Sequence, residues 1–159
     1  MKARSRFDHE KLDVYQLELT FLSWVTKLIE EVRASVGSRA REVLDHLDRA
    51  CLSALFNTAE GNGKRQRRIR AKFFDDARGS GTECAACLDA LVAKGICKDA
   101  RIAPGKDLLF RIVSMLSKLV QKFSDADSVR EHEAPYTGEH EETEDDNEDD
   151  DEEEGETGT

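Results

Sequence analysis

Leu108-Leu109-Phe110-Arg111-Ile112-Val113-Ser114-Met115-Leu116-Ser117-Lys118-Leu119-Val120-Gln121-Lys122-Phe123 returns an apolar side chain every three or four residues. Leu108, Leu109, Ile112, Val113, Leu116, Leu119, Val120 and Phe123 fall on one side of a helix of 3.6 residues per turn, with the polar residues on the other. Pro104-Gly105 precedes this stripe and marks its expected start. Working back along the chain, three more stripes have the same spacing. The first runs through Leu12, Tyr15, Leu19, Leu22, Ile29 and Val32, widened by Val25 and Leu28, and ends near Ser35–Gly37. The second runs through Leu44, Leu47, Cys51, Ala54, Leu55 and Ala59. It opens near Ser38, whose hydroxyl is a candidate cap, and stops at Gly61-Asn62-Gly63. The third opens in a basic run and continues through Ile69, Phe73, Ala77, Ser80, Cys84, Cys87, Leu88 and Leu91 to Lys94-Gly95. Gly79 and Gly81 inside it are expected to admit a neighbouring helix rather than break this one. The only prolines are Pro104 and Pro135, and β-branched alternation is nearly absent. The expected fold is all-α: an up-down-up-down antiparallel four-helix bundle over residues 1–123, with 124–159 as a disordered acidic tail.

Charge divides at the same place. The chain of 159 residues has 34 acidic and 24 basic side chains and a net charge of −10. Residues 124–159 hold 18 of the acids and one base, Arg130, so the tail is −17 and the body +7. A partner inferred from the net charge would have the wrong sign for the folded part. No apolar run reaches the roughly 18–20 residues of a membrane span, and no apolar core follows the charged N-terminus, so a cytoplasmic protein is expected. Cys51, Cys84, Cys87 and Cys97 lie in helical segments and are expected to be free thiols.

The densest candidate for function is Glu60-Gly61-Asn62-Gly63-Lys64-Arg65-Gln66-Arg67-Arg68-Ile69-Arg70-Ala71-Lys72. Lys64, Arg65, Arg67, Arg68, Arg70 and Lys72 put six cations into nine residues at an interhelical turn. The plain reading is a solvated helix start; basic residues at a helix N-terminus oppose its dipole, however, which invites another explanation, nucleic acid or another polyanion. The spacing is not that of a Walker A loop, and no strand precedes it. Cys84-Ala85-Ala86-Cys87 lacks a second ligand pair for zinc and a βαβ context for thioredoxin-type chemistry, so no metal and no cofactor are expected. Asn57, Glu60, Ser80 and Glu83 are polar residues on segments that otherwise read as buried, with Arg49 and Arg78 able to reach carboxylates across a helix pair. These six are expected to form a structural polar network that fixes register. Acid–base or di-metal chemistry by Glu60 and Glu83 is set aside because the Glu-x-x-His motif of di-iron bundles is missing. No catalytic residue, small-molecule substrate or enzymatic activity is expected.

Several of these stretches together resemble one family. Leu12-Asp13-Val14-Tyr15-Gln16, Leu47-Asp48-Arg49-Ala50, Asn57-Thr58-Ala59-Glu60-Gly61-Asn62-Gly63-Lys64 and Phe73-Phe74-Asp75-Asp76-Ala77-Arg78-Gly79-Ser80-x-x-Glu83 are similar to the bacterial 23S ribosomal-RNA intervening-sequence proteins. The resemblance spans about residues 7–123. It implies a left-handed four-helix bundle, homo-oligomeric and typically pentameric, and does not imply an enzyme. A related branch, the accessory proteins of diversity-generating retroelements, comprises basic pentameric barrels that bind nucleic acid. Two departures stand out. Ser53-Ala54-Leu55-Phe56 replaces the usual Ser-Ile-Pro and removes a helix-kinking proline, and Gln66-Arg67-Arg68-Ile69-Arg70 replaces a Ser/Glu-rich start of the third helix. The expected function is therefore an oligomeric bundle that binds RNA or DNA through the basic turn, its tail limiting non-specific binding. The alternative is a protein-interaction scaffold without a nucleic-acid role.

Overall fold

The computed structural model describes the backbone of residues 7–131 and the side chains of residues 7–124. After a 3-10 turn at Asp8–Lys11 come four helices: α1 (Asp13–Val36), α2 (Arg41–Gly63), α3 (Arg67–Ala93) and α4 (Asp99–Glu131). No strand occurs among the described residues. Neighbouring helices are antiparallel, as cross-helix contacts show: Glu18 meets Thr58 while Arg33 meets Asp45, and Phe74 meets Phe123 while Asp89 meets Lys106. Helices α1 and α3 form one diagonal of the bundle, and α2 and α4 the other.

One spacing runs through all four seams. The buried positions that follow it are Val14, Glu18, Phe21, Val25, Leu28 and Val32 on α1, and Leu44, Leu47, Cys51, Ala54, Thr58 and Gly61 on α2, with Ile29, Ala50 and Leu55 buried beside them. On α3 they are Phe74, Ala77, Gly81, Cys84, Leu88 and Leu91, and on α4 Ile102, Gly105, Leu109, Ile112, Leu116 and Phe123. Alternating steps of three and four average 3.5 residues, the repeat that keeps a seam facing its partner when helices wind gently left-handed. Small residues at Ala54, Gly61, Ala77 and Gly81 let α2, α3 and α4 approach closely, whereas α1 stands off on Phe21, Val25 and Leu28.

Several expectations are corrected. The α1 seam is Val14, Glu18 and Phe21 rather than Tyr15, Leu19 and Leu22: Leu19 is exposed, and Tyr15 and Leu22 are half-buried. A charged-type residue occupies the second seam position, so the largest apolar side chains pull the apparent phase of the helix off by one. On α3, Phe74 and Gly81 take the places expected for Phe73 and Ser80. Ser38 caps nothing, because a 3-10 turn at Gly37–Ala40 feeds directly into α2. Helix α4 begins at Asp99, and Pro104 lies inside it. Pro104 is on the exposed side of the second turn, where its missing N–H forfeits a single hydrogen bond to the solvent-facing carbonyl of Ala100. Helix α4 also outlasts the expected boundary at residue 123, continuing to Glu131. Residues 132–159, the greater part of the expected tail, lie outside the described residues.

Two seam positions give the bundle its particular chemistry. Gly105 lies against the Trp24 indole, and a Cβ there would overlap the ring. Glu18 is 3% exposed; its Oε1 accepts a hydrogen bond of 2.7 Å from the Thr58 hydroxyl, and its Oε2 has no partner. Burial pushes its pKa up from 4.5 to about 8, against the smaller opposing effect of Thr58. The group is therefore neutral in the folded protein at pH 7 and ionised in the unfolded chain.

Because the folded pKa lies above the unfolded one, the folded state holds the extra proton between them, and stability falls as pH rises from 4.5 to 8. Glu18→Gln should remove a loss on the order of 3 to 4 kcal/mol between pH 5 and pH 8, measured as the difference in the slope of urea-unfolding free energy against pH. Gly105→Ala should destabilise by about 1–3 kcal/mol through overpacking, even though alanine is the better helix former. Trp24, the single tryptophan, reports that transition by fluorescence. Unchanged stability in that variant would mean that the indole swings away freely.

Candidate nucleic-acid interface

Helices α2 and α3 are joined by three residues, Lys64–Gln66, and this short turn depends on a missing side chain. A Cβ on Gly61 would lie 2.8 Å from Phe73 Cβ and 3.4 Å from the Phe74 ring, so the last turn of α2 can press against the start of α3 only with glycine there. The geometry then sorts the six expected cations into distinct roles.

Arg70 points back across the turn. Its Nε donates to the Lys64 carbonyl at 3.1 Å and an Nη to the Asn62 carbonyl at 2.8 Å, satisfying acceptors left open at the C-terminus of α2, whose last turn has no basic residue of its own. Lys64 pairs with Glu60 at 2.9 Å and sits 4.8 Å from the Phe73 ring centroid. Lys72 pairs with Asp76 at 2.9 Å, one turn further along α3. Arg67 donates to the Lys122 carbonyl at 2.6 Å, tying the start of α3 to α4. Arg65, Arg67 and Arg68 are exposed, and none has a carboxylate partner among the described residues. The first turn of α3 contains no acid.

Phe123 organises the cluster from below. The Arg67 and Arg70 guanidinium carbons lie 4.8 and 4.9 Å from its ring centroid, and Lys122 Nζ lies at 5.6 Å. The ring in turn packs against Phe74 with centroids 5.8 Å apart. Each cation is attracted to the negative face of the ring, yet the three crowd within about one Debye length of each other. Cations that bridge helices near the opposite end are matched instead: Arg33 with Asp45, Arg101 with Glu31 and Lys106 with Asp89. Arg39, Arg41, Lys94 and Lys98 at that end are likewise exposed without carboxylate partners among the described residues, so what sets the α2–α3 end apart is the gathering of Arg67, Arg70 and Lys122 on one ring. Lys122 was missed by sequence reasoning. Antiparallel pairing of α3 and α4 is the signal that would have found it, since that pairing sets the end of the last stripe beside the start of the third.

The expected polar network is only partly assembled. Ser53 and Ser80 hydroxyls meet at 2.9 Å across α2 and α3, and Asn57 Nδ2 donates to the Ser53 carbonyl and hydroxyl. The charged members stay outside. Glu60 turns to Lys64, Arg78 to Asp75 at 2.7 Å, and Glu83 to His46 at 3.3 Å, while Arg49 is exposed. Four long charged side chains remain in water because the α2–α3 seam is too tight to admit them. The buried polar pair is Glu18 with Thr58, neither of which was expected there.

Cys51, Cys84, Cys87 and Cys97 are all buried and unpaired. Burial pushes the Cys51 thiol up to about 12 and Cys84 higher still, so neither forms the thiolate that nucleophilic or metal chemistry needs. Among the described residues, no three His, Cys, Asp or Glu side chains are placed to hold a metal ion, and no helix is long and apolar enough to cross a membrane.

No curated protein matches the chain. A family profile does match, that of the 23S rRNA-intervening sequence protein, over residues 10–118. The match takes in α1, α2, the basic turn, α3 and most of α4, and leaves out the acidic C-terminal segment. The chain belongs to the 23S rRNA-intervening sequence protein family.

Proposed function

We propose that this protein is a non-enzymatic, homo-oligomeric bundle, pentameric as the family resemblance implies, that binds RNA or DNA in the cytoplasm through the α2–α3 end. The observation that carries the reading is the set of exposed arginines, Arg65, Arg67 and Arg68, without carboxylate partners beside Lys122 and the Arg70 clamp. Such a set costs stability through mutual repulsion and an adverse helix dipole, and a phosphate backbone relieves both. Repeating it around a ring would turn several weak contacts into useful avidity. The acidic residues of 132–159 compete for the same cations and so restrain binding to unspecific polyanions.

A scaffold reading has one observation in its favour: Phe56 and Phe110 are 61% and 75% exposed on the outer faces of α2 and α4, as subunit or protein contacts would be. In that case the arginines would pair with acids of a neighbouring chain.

Arg65 and Arg68 make no described contact, so their replacement tests the reading without disturbing the turn. In an anisotropy titration against a structured ribosomal-RNA fragment, R65A/R68A should weaken binding about tenfold at about 50 mM salt. It should also flatten the slope of log K against log salt by about 1.5 to 2. Assembly, followed by light scattering, should stay intact; loss of assembly with no change in RNA affinity would favour the scaffold. Among the described side chains, the core residues lie within the first 123 positions, so a chain ending at Glu131 retains them. That shortened chain should bind more tightly than the full chain at low salt, and equal affinity would remove the competing role of the tail.

A further inference from the structure

The α2–α3 face carries an apolar groove. Val43, Ala86, Cys87 and Ala90 line a space of about 300 Å³ between the start of α2 and the last turns of α3. The space exists because Ala86 and Ala90, on the outer side of α3, end at Cβ where a surface helix ordinarily carries long polar side chains. Acids edge the groove. Glu42 is exposed and has no partner among the described residues, and Glu83 meets His46 at 3.3 Å.

Helix α4 presents the opposite shape. Phe110 is 75% exposed, more than any other large apolar side chain described, and makes no ring contact among the described residues. Arg111 beside it and Asp107 one turn earlier are both exposed and without partners among the described residues. Phe56, 61% exposed on α2, is the other large ring that could fill an apolar groove. The only charged residue within one turn of it in sequence is Glu60, which would bring an acid to an acidic rim. Phe110 brings an unpaired arginine instead.

We infer that copies of this chain join through these two surfaces, the Phe110 ring of one seated in the Val43–Ala86–Ala90 groove of the next. The inference rests on the homo-oligomeric part of the reading above and names the surfaces that meet. Helix α4 is diagonal to α2, and no described α4 residue lines the groove, so the ring serves the groove of another copy and not its own. An antiparallel approach of the neighbour's α4 to α3 turns Arg111 toward Glu83 and Asp107 toward Lys94, which is exposed without a carboxylate partner. Charges so matched at the rim set register, while an aromatic anchor desolvated in a small pocket carries most of the association energy. Ring and groove are different patches. Each copy in such a contact still offers one free groove and one free ring, so the contact is head-to-tail and propagates until it closes as a ring of subunits.

The test is sedimentation equilibrium of the full chain, freed of nucleic acid, over protein concentrations from about 1 to 100 μM. F110A should raise the concentration at which half the subunits are assembled by at least about tenfold. A86W, which fills the groove with a ring from its own chain, should do the same, and F56A should leave assembly unchanged. Positions 86 and 110 are exposed, so neither change disturbs the core, and circular dichroism checks that each variant keeps its helices. An equimolar mixture of F110A and A86W should form a dimer that grows no further, because one variant keeps only its groove and the other only its ring. F110A or A86W assembling as the unaltered chain does, or the mixture staying monomeric, overturns the inference while leaving an oligomer built on other surfaces. Assembly lost in F56A and kept in F110A overturns it equally. An unaltered chain that stays monomeric up to about 100 μM overturns the homo-oligomeric reading itself.

Discussion

The close approach of α2 and α3 at Gly61 is the constraint on which the rest of the candidate site depends. With no Cβ at that position, the final turn of α2 rests on Phe73 and Phe74, and three residues suffice to reverse the chain. A longer loop would let the basic run spread into solvent as an ordinary charged connection. The short one forces direction on each side chain: Arg70 inward onto the carbonyls of Asn62 and Lys64, Lys64 across Phe73, and Arg65 and Arg68 outward. Arg70 also answers the electrostatic problem the turn creates. It puts positive charge on the negative end of α2, so one of the six cations stabilises the connection that displays the others.

Helix number, order and direction were legible in the sequence because apolar spacing survives even where individual residues mislead. The ends set by glycine were legible too, as at Gly95, whose φ of 67° closes α3 with hydrogen bonds from Gly95 to Val92 and from Ile96 to Leu91. What escaped was the phase of α1 and the start of α4. In both, the residue at the decisive seam position is one that hydrophobicity does not flag: Glu18 in the first and Gly105, beneath Trp24, in the second. A seam is defined by what a neighbouring helix permits, and that neighbour is absent from a single stripe.

For the candidate site, the sequence supplied the cations but not their roles. Six basic residues in nine look equivalent in a string, yet the folded turn makes one a clamp, two members of local ion pairs and one a tie to α4. Their difference arises from the 3.6-residue turn acting on residues spaced by one, two and three, combined with the position of Phe123 on another helix. The ring contact at the N-terminal turn, where His9 meets both Phe7 and Tyr15, escaped for a related reason. It is assembled by a 3-10 turn too short to leave any periodic trace.

Glu18 and the arginine cluster represent two opposite ways of placing polar groups. Glu18 is buried as a neutral acid with one hydrogen bond, and its cost is drawn from the stability of the whole bundle. The arginines remain in water and confine their mutual repulsion to one end of the bundle. Topology decides which end. An even number of antiparallel helices returns the chain to the side where it began, so the 3-10 turn before α1, the α2–α3 connection and the C-terminal end of α4 share one end of the bundle. Lys2, Arg4 and Arg6 precede the first of these in sequence, and the acidic run of 141–154 follows the last. The basic turn and the end of α4 that leads into the acidic segment are therefore brought together by the parity of the fold. A three- or five-helix version of the same seam would have sent the acidic segment out from the opposite end, roughly 30–40 Å away.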